Sequence, residues 1–350
     1  MTRAFTFPGL TTRVVFGAGT IAQAGDEVAR LGHSRALVLS TPHQATEAQA
    51  LADRLGPLSV GVFAEAAMHT PITVTDRALE AFRASGATAV VSLGGGSTTG
   101  LGKAIAVRTG ADQVVIPTTY AGSEMTDILG ETAGGEKTTR RDPSIRPETV
   151  IYDVDLTLSL PVALTVTSAL NAIAHAMEPL YAPDRNPVVV LMAQDALRSF
   201  KVAIPRLVTD PADRDARAEA LYAAWCCSTA LGQVQMALHH KLAHVIGGSF
   251  NTPHAETHAI LLPHTTAFNA GPELAPIGDI FGGPPGPALW DFAKSAGAPL
   301  RLADFGMTET DLDRAADIAM KNAYWNPRPF TRADIRTLLQ AAWEGRRPQA

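Results

Sequence analysis

Two rhythms of hydrophobic positions divide the chain. Over the first 155 residues, short β-branched runs recur: RALVLS at 35–40, SVGVF at 59–63, TAVVSL at 88–93, QVVIP at 113–117 and TVIYD at 149–153. Between them lie helix-like stretches, TIAQAGDEVARLG, QATEAQALADRLG, TVTDRALEAFRASG and GLGKAIAVRTG, several closed by the glycine that commonly follows a helix C-terminus. Strands alternating with crossover helices predict a layered α/β domain. The polar segment from Gly130 to Pro147, broken by Gly and Pro, reads as an excursion or hairpin before the last strand. After Leu160 the β-branched runs stop. PVALTVTSALNAIAHAMEPLYA, PVVVLMAQDALRSFKVAI and ARAEALYAAWCCSTALGQVQMALHHKLAHVIGG carry apolar residues at helical spacing. Pro161 suits the first turn of its helix, so the pattern predicts an α/β domain over 1–157 and a helical domain over 158–350. Gly282 to Pro287 reads as a surface turn within the helical part.

Charge narrows the partners. Lys plus Arg number 29 and Asp plus Glu 34, a net charge of −5 with no block of like sign, which argues against nucleic acid or an anionic membrane. No stretch approaches the roughly 20 apolar residues of a membrane span. The opening MTRAFTFPGLTTR lacks a basic segment followed by an apolar run, and the chain is read as cytoplasmic. The two cysteines, Cys226 and Cys227, are adjacent in an apolar helical context. That spacing suits neither a zinc site nor an ordinary disulfide, and predicts core packing.

Three groups of residues can carry chemistry. In TAVVSLGGGSTTGLGKAIA, the glycines Gly94, Gly95 and Gly96 and the hydroxyl of Ser97 lie between a strand and a helix. Backbone without side chains there can approach a pyrophosphate, and a helix N-terminus offers it unpaired N–H groups and the positive end of a dipole. PTTYAGSEMT follows the next strand, with the hydroxyls of Thr118, Thr119 and Ser123 placed for a phosphate, a ribose or a nicotinamide amide. The third group is histidine. Six of ten fall between 239 and 264: His239, His240, His244, His254, His258 and His264. His240 and His244 share a helix face, as do Asn171 and His175 upstream. Two segments with paired spacing predict a shared polar pocket.

GGGSTTGLGK, PTTYAGSE, NAIAHAMEP and HHKLAHVIGGSFNTPHAETHAILLPH, in that order, resemble the iron-containing alcohol dehydrogenase superfamily, and more narrowly its maleylacetate reductase branch. The likeness runs from FGAGT near Phe16 to AYWNPRP ending at Pro329. It implies the fold shared with dehydroquinate synthase, an α/β dinucleotide-binding domain plus an all-α C-terminal domain, a cleft between them, and a homodimer. Metal-dependent members hold a divalent ion at positions matching Asn171, His175, His240 and His254. An amide at the first of these replaces a carboxylate and removes a negative charge on which such sites rely. The resemblance therefore implies that no metal is held. Gly100 stands where many members carry Asp, a change read as surface or cap variation. Ser40 and Thr41 stand where NAD-selective members carry an acid, so a 2′-phosphate is not repelled and NADH or NADPH is expected.

The implied activity is reduction of maleylacetate to 3-oxoadipate in aromatic-compound breakdown. His244 is the expected proton donor, with His240, His254, His175 and Asn171 completing the catalytic set. Lys241, His239, Tyr324 and Arg328 are the expected partners of a small dicarboxylate substrate. The competing reading is a metal-dependent alcohol or polyol dehydrogenase on the same fold.

Overall fold

The computed structural model describes residues 4–134 and 136–349. Its strands are β1 (Arg13–Gly17), β2 (Ala36–Leu39), β3 (Ser59–Phe63), β4 (Ala89–Gly94), β5 (Asp112–Pro117), β6 (Ile128–Ala133), β7 (Glu136–Arg141) and β8 (Thr149–Asp153). Six of them form one sheet in the order β1-β8-β5-β4-β2-β3, and every pairing in it is parallel. Alternation along the strands feeds two layers. Ala36 and Val38 face a core with Val28 and Leu51, while Leu37 and Leu39 face another with Leu79, Phe82 and Leu101. The first layer is supplied by α1 (Ala24–Arg30) and α2 (Ala45–Leu55), the second by α3 (Ile72–Ser85) and α4 (Gly96–Thr109). Burial on both faces is why these strands read as near-continuous apolar runs.

Two details differ from the sequence reading. The excursion is an antiparallel hairpin, β6 with β7, in register from Ile128 opposite Arg141, so it starts before Gly130. The sheet also gains β1, an edge strand not anticipated from the sequence, whose Phe16 is 40% exposed. The strand order has a functional consequence. From β2 the chain steps outward to β3, returns to the other side of β2 as β4, and continues away as β5. The C-terminal ends of β2 and β4 therefore flank the point where the direction of winding reverses, which is where open α/β sheets bind ligands.

Beyond Leu160 the chain is helical: α5 (Val162–Tyr181), α6 (Pro187–Thr209), α7 (Arg214–Gly232), α8 (Leu238–Phe250), α9 (His254–Phe268), α10 (Ala275–Phe281), α11 (Pro285–Ser295), α12 (Glu309–Met320) and α13 (Arg332–Glu344). By its internal contacts the chain divides into Gly9–Leu160 and a second unit made of Pro161–Ala350 with Met1–Pro8. In the second unit α5 is buried at every residue from Thr165 to Tyr181, polar ones included. It packs against α6, α7 and α9. A further core joins α8 and α9 to α12 and α13 through Leu242, Ile246, Leu261, Leu312 and Leu339. Pro161 caps α5 in extended backbone and does not enter its first turn. The long apolar stretch from 216 to 248 is two helices, parted between Gly232 and Leu238. Cys226 and Cys227 are free and buried, and burial raises both thiols above their usual range. Among the described residues no helix is long and apolar enough to cross a membrane.

The Gly282–Pro287 segment is a turn only in its first half, because α11 begins at Pro285 and buries Gly286. A Cβ on Gly286 would lie 2.7 Å from backbone atoms of Ala267 in α9. The close approach of these two helices requires glycine. Gly286→Ala is expected to destabilise the protein by about 1–3 kcal/mol, read as a lower midpoint in urea unfolding.

Candidate active site

The predicted cofactor residues gather along one edge of the sheet. Gly94 ends β4 at φ +151°, a region that strains any side chain. Gly95 caps α4 and Gly96 opens it. A Cβ on Gly95 would lie 3.0 Å from both Oγ1 and Cγ2 of Thr119, so this glycine lets the two loops meet. The Thr118 N–H donates to the Gly94 carbonyl at 3.1 Å, and Gln44 Nε2 donates to Thr118 Oγ1 at 3.1 Å. Ser97, Thr119 and Ser123 are half-buried along this edge. The first N–H groups of α4 have no intrahelical acceptor, which suits an anion.

Ser40 and Thr41 part company. Ser40 is fully buried and its hydroxyl donates to the Thr41 carbonyl at 3.1 Å, so it is not presented to a ligand. Thr41 is half-buried just beyond β2. Gly100 is a packing position and neither a surface nor a cap residue: it is buried in α4, and a Cβ there would lie 2.5 Å from Thr70 Oγ1.

In the helical unit, α5, α8 and α9 bring the histidines together. Asn171 and His175 share a face of α5 and are buried. α8 presents His240 and His244. It ends at Asn251, whose φ of +53° turns the chain so that α9 starts with His254 and places His258 one turn later. Ring centroids lie 5.3 Å apart for His175 and His240, 5.3 Å for His240 and His258, 4.5 Å for His254 and His258, and 6.1 Å for His240 and His244.

Behind the rings stands Glu178, a carboxylate with no exposure at all. It accepts the Ala237 N–H at 2.7 Å, the His240 N–H at 3.3 Å and His240 Nδ1 at 2.8 Å. The first two contacts satisfy the N-terminal turn of α8, where a negative charge is favoured by the helix dipole. The third directs His240 Nε2 away from the carboxylate. A second chain of bonds fixes His258. The Thr265 hydroxyl donates to the carbonyls of Leu261 and Leu262, which leaves its lone pairs for His239 Nδ1–H at 2.9 Å. His239 Nε2 is then an acceptor for His258 Nδ1–H at 2.8 Å, and His258 Nε2 carries a lone pair. Burial holds His175, His239 and His258 well below the usual histidine range, so these rings are neutral at neutral pH. His175 Nδ1, His240 Nε2 and His258 Nε2 are buried without a partner among the described residues.

His239 was expected to meet substrate and cannot, since it is fully buried with both nitrogens engaged. Lys241 donates to the Lys321 carbonyl at 2.8 Å and lies 5.4 Å from the Tyr324 ring centroid; partial burial lowers its ammonium from the usual lysine range. Arg328 stacks on Phe268 at 4.2 Å and donates to its carbonyl. Sequence reasoning missed Glu178, and it placed His258 in the histidine group without a role of its own. Glu178 lies three residues after His175 and seven after Asn171, a helical interval that was there to be read.

Residues 11–154 match the family described as iron-containing alcohol dehydrogenase, and residues 165–343 match the Fe-containing alcohol dehydrogenase family, C-terminal. The chain belongs to the iron-containing alcohol dehydrogenase family. It is 58% identical over 99% of both chains to a maleylacetate reductase of Rhizobium sp. (strain MTP-10005). It is 49% identical, over 98% of both chains, to maleylacetate reductase 1 of Rhodococcus opacus. The crystal structure of a maleylacetate reductase from Agrobacterium tumefaciens superposes with a TM-score of 0.94 at 58% identity, covering 99% of this chain and 100% of that one.

The family's name implies iron, and Asn171, His175, His240 and His254 are the positions that would hold it. Asn171 supplies a neutral amide, and the one buried carboxylate of the cluster, Glu178, is spent on α8 and His240 Nδ1. With an amide in place of a carboxylate, this donor set carries less negative charge than iron and zinc sites usually do. Glu178→Gln leaves three buried donors facing an amide, and is expected to cost about 1–3 kcal/mol, measured by urea unfolding.

Proposed function

We propose that this chain is a maleylacetate reductase that uses NADH or NADPH and holds no metal, and, following the resemblance, that it works as a cytoplasmic homodimer. What supports the reading is 58% identity to a maleylacetate reductase over nearly the whole of both chains, together with the neutral amide of Asn171 where metal-dependent members carry a carboxylate. An alcohol dehydrogenase stabilises an alkoxide concentrated on one oxygen, for which a Lewis acid is effective. Hydride addition to a C=C bond conjugated with a ketone spreads the charge into an enolate, and hydrogen-bond donors suffice.

The dinucleotide takes the edge formed by Thr41, Gly94, Gly95, Gly96, Ser97, Thr118, Thr119 and Ser123. Thr41 carries no charge to repel a 2′-phosphate, so both cofactors are admitted. Hydride passes to the carbon beta to the ketone. His240, protonated on Nε2 and backed by the Glu178 carboxylate, donates to the developing enolate oxygen, in the manner of a carboxylate-oriented imidazole. His175, His254 and the Asn171 amide complete the polar surround. His244, half-buried one turn beyond His240, protonates the alpha carbon, and the product is 3-oxoadipate. Lys241 and Arg328 are the cations for the substrate's carboxylates, with Tyr324 beside Lys241.

NADH consumption with freshly prepared maleylacetate should survive a chelator, and the purified protein should hold well under one equivalent of iron or zinc. Stoichiometric metal, with activity lost on chelation and restored by the ion, would favour a metal-dependent dehydrogenase.

With NADH deuterated at C4, the label should appear on the carbon beta to the ketone and the alpha proton should come from solvent; a deuterated secondary alcohol would overturn the chemistry. His244→Ala should lower kcat by about 10²- to 10⁴-fold with NADH affinity kept. Full activity in that variant would remove His244 as the donor and leave the reaction standing.

A further inference from the structure

Lys103, in the α/β unit, is buried without exposure, and neither the nucleotide reading nor the hydride chemistry uses it. It lies on α4, two turns beyond Gly96. Its Nζ donates to the Ser123 carbonyl at 2.5 Å, to Thr126 Oγ1 at 3.0 Å and to the Ile128 carbonyl at 3.0 Å, with Ser123 Oγ at 3.3 Å. An ammonium has three protons, and the three shorter contacts take one each. The acceptors are themselves arranged for this. The Thr126 hydroxyl donates to the Ser123 carbonyl at 3.0 Å, which leaves its lone pairs for Lys103.

These contacts hold the far end of the loop that follows β5. Its near end is held by the Thr118 N–H on the Gly94 carbonyl and by Thr119 against Gly95. In between, Gly122 takes a left-handed conformation, φ +85°, and opens the short turn Ser123–Met125. The two loops at the sheet edge are thus tied twice, once through backbone and once through the side chain of the helix that begins in the first loop.

Burying the ammonium has a cost, which two acids offset. Glu124 is buried and takes the Tyr152 hydroxyl at 2.9 Å, and Asp127 pairs with Arg141 and Arg146. Burial draws Lys103 down to about 7 against the pull of Glu124 and Asp127, with Arg146 adding to the fall. Burial also raises Glu124 from the usual carboxylate range. A methionine or leucine would fill this space without any of these charges, so the cluster is an expensive way to pack a helix and an effective way to fix a loop.

We infer that Lys103 is a positioning residue for the dinucleotide, holding Ser123 and the 117–126 loop in the conformation that binds it. The inference rests on the nucleotide reading above, and direct binding separates the two. Calorimetry with NADH on wild type, Lys103→Met and Thr126→Val requires no substrate. Lys103→Met should raise Kd by about tenfold or more, the equivalent of losing one charged hydrogen bond. Thr126→Val, which keeps the shape and removes one acceptor, should raise it several-fold. At saturating NADH both variants should keep kcat within about threefold, so that the loss falls on KM. A folded variant with a lower melting temperature and wild-type Kd would make Lys103 a packing residue and overturn the inference. If Lys103→Met does not fold, Thr126→Val decides by the same criterion. Wild-type protein that binds neither NADH nor NADPH overturns the nucleotide reading, and this inference with it.

Discussion

A carboxylate removed from water inside a helical domain must be fully hydrogen-bonded or it unfolds its surroundings. Glu178 meets that demand with the start of α8 and the ring of His240. The bonds do three things at once. They satisfy the orphan N–H groups where α8 begins, they fix α8 against α5, and they determine which nitrogen His240 turns toward its neighbours. The His258 ring is set from behind in a similar way, by Thr265 through His239. Two imidazoles of the cluster, His240 and His258, are therefore held from behind by buried groups, as a preorganised polar site requires.

This arrangement explains how one fold can serve both a metal-dependent alcohol dehydrogenase and a conjugate reductase. In the proposed reading the sheet and its winding supply the cofactor edge in either case, since the switch between β2 and β4 is a property of strand order. What the helical unit offers depends on a few side chains. Asn171 at the first ligand position withdraws a negative charge from the front of the cluster, while Glu178 keeps one at the back. Under the proposed reaction the remaining imidazoles face an enolate, whose charge is shared between carbon and oxygen.

The inner strands of the α/β unit were legible because they are buried on both faces and so spell apolar runs. SVGVF and TVIYD match β3 and β8 residue for residue. The edge strand β1 was not read, although RVVFG is as long and as apolar as the other edge strand, SVGVF. The break before α8 escaped because GQVQMA continues the helical rhythm across it, and the turn is held by Glu178, which lies far away in sequence. The loops after β4 and β5 were legible as loops because their glycines interrupt the apolar runs, whereas the inward turn of Ser40 depends on a hydrogen bond to its neighbour's carbonyl that no pattern reveals. The histidines were legible as a group by their spacing. Their roles were not: spacing gives a shared face, and only geometry shows that His239 is spent on Thr265 and His258.

Glu178 fixes the orientation and tautomer of His240 through Nδ1. Nitrogen NMR of the protein labelled with ¹⁵N-histidine, with His240 assigned by its loss in His240→Gln, reads this bond. Nδ1 of His240 should stay protonated and hydrogen-bonded whether or not Nε2 carries a proton. A neutral His240 with its proton on Nε2 and a bare Nδ1 would contradict it.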